Sequence, residues 1–157
     1  MATASACEAE VVRAHVLSAH AQLRAHSAEL ASDALRIARS AIEPDTRIRA
    51  LVFQLWSVVE ETDQLERREL FPLLENADAW GPARVAKLDE RHTRHQRELS
   101  ALADELGERR NTCDLAQRVD AVLRSLLSDL DDEEATSLEP DLLASDGPVV
   151  VCEQTSG

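Results

Sequence analysis

Apolar residues recur at intervals of three and four along most of this chain, the spacing of one buried face on an α-helix. The first stripe is Val16, His20, Leu23, Ser27, Leu30, Ala34 and Ile37, on a helix predicted over residues 6–41. Glu43-Pro44-Asp45-Thr46 breaks it: Pro44 disfavours helix at the residue before it, and Asp45 or Thr46 can cap the next start. A second stripe holds Ile48, Val52, Leu55, Val59, Thr62, Glu66 and Leu73, with a bend or end predicted near Pro72. Residues 76–82 read as a connection, and Pro82 suits the first turn of a third helix. That helix has the stripe Val85, Leu88, His92, His95, Leu99, Leu102 and Leu106, with Gly107 at its C-terminal cap. A fourth begins near Thr112 and carries Leu115, Val119, Leu123, Leu126, Leu127, Leu130 and Glu134 toward Pro140.

Four amphipathic helices with short connections predict an all-α fold, an up-down-up-down four-helix bundle over residues 1–143. Residues 144–157, with Gly147-Pro148 and a Gln-Thr-Ser-Gly end, read as a flexible tail. Composition agrees. Aromatic residues make up 3% of the 157, there is no tyrosine, and only 4 glycines and 5 prolines interrupt a helix-forming vocabulary.

The net charge of −13 argues against a nucleic-acid footprint and against attraction to anionic membranes. It suits solubility, and it also offers an acidic surface to a basic protein partner. No apolar run approaches the roughly 20 residues that span a bilayer. The start of the chain, with Glu8 and Glu10, does not read as a signal peptide. Three scattered cysteines without CxxC spacing predict reduced thiols in a cytoplasmic protein. No nucleophile–base motif or phosphate loop is present, so nothing points to a hydrolase or transferase and no catalytic residue is assigned.

The polar residues that interrupt the stripes carry the chemistry. His20, His92 and His95 fall on apolar seams, whereas His15 and His26 lie on a flank of the first helix. Glu66 and Glu134 fall on the seams of the second and fourth helices. A buried carboxylate is costly unless paired or metal-bound, and no lysine or arginine follows Arg124. The chain also repeats itself. Thr62-Asp63-Gln64-Leu65-Glu66 precedes Leu70-Phe71-Pro72, and Leu130-Asp131-Asp132-Glu133-Glu134 precedes Leu138-Glu139-Pro140, with Glu and Leu at the same distances before each proline. Each half therefore supplies one histidine helix and one glutamate helix. Mixed imidazole and carboxylate ligands suit iron or manganese.

In this order and spacing the chain resembles the hemerythrin-like, or HHE cation-binding, family over residues 15–140. The family's pattern is a His on helix 1, HxxxE before Leu-x-Pro on helix 2, a His on helix 3, and HxxxE or HxxxD on helix 4. The resemblance implies a four-helix bundle with a non-haem iron centre, dinuclear or mononuclear, that binds or senses iron or O₂. It makes His20 and His92 the imidazole ligands and Glu66 and Glu134 the bridging carboxylates. His95, one turn from His92, would be an auxiliary ligand. The family's second and fourth histidine positions are Thr62 and Leu130 here. Asp63 and Asp131, each three before a glutamate, would be substitute carboxylates. The ferritin-like Glu-x-x-His pattern is approached only by Asp89-x-x-His92. The other reading is a bundle that has lost its metal and acts as an interaction or regulatory module through its acidic faces.

Overall fold

The computed structural model describes residues 6–40, 46–107 and 112–144. The Pro44 connection and, except for Ala144, the tail expected over residues 144–157 lie outside them. Among the described residues the chain is helical and has no strand. Its elements are α1 (Ala6–Ser40), α2 (Thr46–Leu65), a π-helical turn (Glu66–Leu70), α3 (Phe71–Ala77), α4 (Gly81–Glu105), α5 (Thr112–Thr136) and α6 (Pro140–Leu143). No described helix is long and apolar enough to cross a membrane.

The four long helices touch in a ring. α1 packs on α2 and α5, α2 on α4, and α4 on α5. α3 lies on α4, and α6 on α1 and α3. Arg13 Nε ties the approach to α6 by donating to the Leu138 carbonyl at 2.8 Å. The predicted seam of α1 is buried throughout, from Val16 through His20 to Ile37.

Two apolar clusters hold this assembly. The larger is built from Leu23, Leu30, Ile37, Leu55, Leu99, Leu102, Val119, Leu126 and their neighbours. The smaller joins Val12, Val16, Leu70, Leu74, Leu88 and Leu138. Burying each such side chain stabilises by about 1.5–3 kcal/mol. Between the clusters every long helix contributes polar groups at one level. On α1 it is His20, between Val16 and Leu23; on α2 and the π turn, Thr62, Asp63 and Glu66; on α4, His92 and His95; on α5, Glu133. All seven are buried. A polar layer thus crosses the core between its two apolar clusters.

The break predicted near Pro72 is a change of helix type. Phe71 N–H donates to the Glu66 carbonyl, the i→i+5 bond of a π turn, and Pro72 enters the first turn of α3. Pro72 has no N–H, and its ring would crowd the preceding turn of a regular helix. The wider turn relieves this and changes the phase. Positions four apart drift around a regular α-helix, but Thr62, Glu66, Leu70 and Leu74 are all buried. Leu73, predicted inside, is only half-buried for the same reason. α4 then starts tightly against the end of α3. A Cβ on Gly81 would lie 2.1 Å from the Leu74 carbonyl oxygen, so only glycine fits.

Candidate metal centre

His20 is fully buried and offers both ring nitrogens to carboxylates. Nδ1 lies 2.9 Å from Glu134 Oε1, and Nε2 lies 3.0 Å from Glu66 Oε1 and 3.9 Å from Glu133 Oε1. Only an imidazolium donates from both nitrogens. Burial opposes that charge, but the contacts with Glu66 and Glu133 outweigh it and hold the His20 pKa above its ordinary value.

Glu66 sits on the π turn, 1% exposed. One oxygen accepts from His20. The other, Oε2, stands 2.7 Å from His92 Nε2 at an angle outside that of a hydrogen bond, so it has a charged neighbour but no directed donor. Burial would raise the carboxyl; His20 and His92 overrule it and hold Glu66 well below the usual carboxylate range. His92 stacks on Phe71, with ring centroids 5.7 Å apart. Its pKa is raised too, burial being outweighed by Glu66 and Asp63.

The inward carboxylate of α5 is Glu133, not Glu134. Glu133 is buried and its Oε1 has no hydrogen-bond partner among the described residues. Burial, together with the facing charge of Glu66, pushes its carboxyl up. Glu134 is 28% exposed and reaches His20 from the rim. There Arg24 Nη1 donates to it at 2.7 Å and, through Nη2, to Asp131 at 2.8 Å. Arg24, on α1, is the charge partner that could not be seen from the residues following Arg124. Against burial, Arg24 and His20 hold Glu134 below the ordinary carboxylate value.

The other expected ligands are placed as follows. His95 is buried, but its Nε2 meets Asp129 Oδ2 at 2.7 Å, away from His20 and Glu66. Burial outweighs that contact and lowers the His95 pKa. Arg94 and Arg91 also face Asp129, and Arg91 bonds Asp132. Thr62 donates its hydroxyl to the Val58 carbonyl at 2.8 Å, and Leu130 packs in the larger apolar cluster. Of the two repeated aspartates, Asp63 is buried while Asp131 is exposed. Asp63 Oδ1 lies 3.7 Å from His92 Nδ1. Its carboxyl is raised by burial, which His92 only partly offsets.

One ligand atom each from His20, Glu66 and Glu133 lies within 4.8 Å of the other two. Beside them is a cavity of about 10 Å³, lined by Glu66, His92, Glu133 and the apolar side chains Leu23, Val59 and Leu126. About this much space takes one water-sized group. Glu66 Oε2 and Glu133 Oε1 are two buried carboxylate oxygens without donors, which is an arrangement a cation satisfies. By that test the residues fit a metal ion. Compared with protein families, curated proteins and solved structures, the chain matches none.

Proposed function

We propose that this chain is a hemerythrin-like, up-down-up-down four-helix bundle that binds a single non-haem metal ion, iron or manganese by ligand type, within its polar layer. The observation that carries the reading is a pair of buried carboxylate oxygens, Glu66 Oε2 and Glu133 Oε1, that have no hydrogen-bond donor among the described residues and face only imidazole nitrogens, His92 Nε2 at 2.7 Å and His20 Nε2 at 3.9 Å. A buried carboxylate oxygen without a hydrogen-bond donor costs about 1–3 kcal/mol. A cation removes that cost for both at once. The ring of contacts among the four long helices and their short connections support the bundle topology.

His20, Glu66, His92 and Glu133 would hold the ion, with two imidazoles and two carboxylates suiting iron or manganese. A bound iron would supply a redox-active, Lewis-acid position for a small ligand such as O₂. The rest falls to the chain's own groups. His20 and His92 give up the Nε2 protons that face Glu66, and Glu133 gives up the proton its raised pKa favours, so binding releases protons. Leu23, Val59, Leu126 and Leu130 wall the cavity and exclude bulk water. Space of about 10 Å³ favours one ion over two.

Anaerobic addition of Fe(II) tests this reading. At one hundred times its Kd, an ion that binds only the folded chain stabilises by about 2.7 kcal/mol. The melting temperature then rises in the wild type and does not rise in Glu133→Gln.

A second reading is supported by the same layer. Thr62 is satisfied by its own helix, Leu130 is apolar, and His20 already bridges Glu66 and Glu134. A proton on Glu133 in place of an ion would give a metal-free module acting through its acidic surface. The Fe(II) titration separates the two.

A further inference from the structure

A line of polar contacts leaves the centre from His92 and ends on an indole. Trp56 Nε1 lies 2.5 Å from Gln96 Oε1, Gln96 Nε2 lies 3.0 Å from Asp63 Oδ2, and Asp63 Oδ1 lies 3.7 Å from His92 Nδ1. Asp63 and His92 are buried, and Trp56 and Gln96 are half-buried.

The direction of each link follows from donor chemistry. An indole N–H can only donate, so the Gln96 atom facing it is the carbonyl oxygen. The Gln96 amide NH₂ is thereby turned to Asp63, whose Oδ2 must accept. A carboxylate accepts at both oxygens, so Oδ1 is an acceptor aimed at His92. Among the described residues Nδ1 is buried and makes no hydrogen bond, and the Asp63 carboxylate stands at ion-pair range from it.

We propose that Trp56, Gln96 and Asp63 form a positioning relay that keeps a proton on His92 Nδ1 and so reserves Nε2 as the ligand atom. Trp56 donates to Gln96, Gln96 donates to Asp63, and Nδ1–H points back at Asp63, so the line converges on a carboxylate that can only accept. Outer groups that fix an imidazole's tautomer typically change metal affinity by about 10–100-fold when altered. The value of the relay to an ion rests on the proposed metal centre; the Nδ1 proton itself does not.

Two near-isosteric substitutions reverse the last link, between position 63 and His92, and then restore it. In Asp63→Asn, Gln96 still donates, so the new amide turns its oxygen to Gln96 and its NH₂ to His92, where it demands a bare Nδ1. When Asp63→Asn is combined with Gln96→Glu, the carboxylate introduced at position 96 accepts both from Trp56 and from the amide NH₂ introduced at position 63. The oxygen of that new amide then faces His92 and again favours Nδ1–H.

The test reads the side-chain ¹⁵N shifts of His92 in the metal-free protein at neutral pH, together with Fe(II) affinity measured anaerobically. The expected result is a protonated Nδ1 in the wild type, a bare Nδ1 in Asp63→Asn, and a protonated Nδ1 again in the double variant. Fe(II) affinity falls about 10–100-fold in the single variant and recovers in the double. A bare Nδ1 in the wild type overturns the relay without any variant, as does a double variant no different from the single. Equal Fe(II) affinity in the wild type and Asp63→Asn overturns its role in binding. If the wild type takes up no Fe(II) while the ¹⁵N pattern holds, the metal centre is overturned and the relay stands.

Discussion

Glu66 and Glu133, on different helices, point at the same nitrogen. Their Oε1 atoms lie 3.0 and 3.9 Å from His20 Nε2, and both side chains are buried. Two carboxylates this close do not both keep a charge against a single imidazole, so one is held ionised and the other is pushed toward protonation.

That asymmetry separates two adjacent glutamates. Glu133→Gln should abolish ion binding, because it removes a buried carboxylate of the proposed centre. Glu134→Gln should keep the ion and lose only the negative charge offered to Arg24 and His20, since the amide oxygen can still accept from both. Equilibrium dialysis against Fe(II) or Mn(II) measures both. Equal losses in the two variants would show that the inward position has been misplaced.

Glu66→Ala leaves two imidazoles in the layer without their shared counter-charge. Removing one partner of a buried ion pair costs about 3–5 kcal/mol, so the metal-free variant should unfold at markedly lower urea than the wild type. A loss below about 1 kcal/mol would mean that water or Glu133 takes over the contacts.

Stability should respond to pH in opposite senses with and without the ion. His20 and His92 have raised pKa values. Their contribution is fully present below the ordinary value of 6.5 and is lost as pH rises through the folded values. Glu133 is raised as well, to about 8, so the folded chain holds its proton more tightly than the unfolded chain does and loses that advantage in the same direction. Glu66, lowered, contributes above its ordinary value of 4.5 and is lost only as pH falls through its folded value. The metal-free chain should therefore lose stability as pH climbs above 6.5. Ion binding competes with the same protons and should strengthen over that range. Melting curves at several pH values, with and without Mn(II), check both trends.

Gly81→Ala should destabilise by about 1–3 kcal/mol, the usual cost of overpacking, because its Cβ meets the Leu74 carbonyl. Urea unfolding of the variant checks it; an unchanged midpoint would show that the α3–α4 junction can relax.

Much of the helical layout was legible because it rests on local rules. The seams of α1 and α4 follow regular spacing, and His20, His92 and His95 interrupt them visibly. The phase of α5 was harder to read. Reading Leu127 as inside turned the stripe toward Glu134, whereas buried Val122 turns it toward Glu133. Spacings of three and four both satisfy a helix, so the choice between adjacent glutamates depends on what α1 and α4 place opposite. The π turn left only Pro72 as a trace, since a proline signals a disturbance but not its form. Arg24, Asp129, Gln96 and Trp56 enter through contacts between helices, and no spacing within one helix reveals them.

The most direct measurement is metal per chain, by elemental analysis of protein loaded anaerobically with Fe(II) and freed of excess ion. A single ion held by His20, Glu66, His92 and Glu133 predicts one iron per wild-type chain, none in Glu133→Gln and one in Glu134→Gln. A wild-type chain that retains no iron, or a Glu133→Gln chain that retains as much as the wild type, would contradict the centre described for this polar layer.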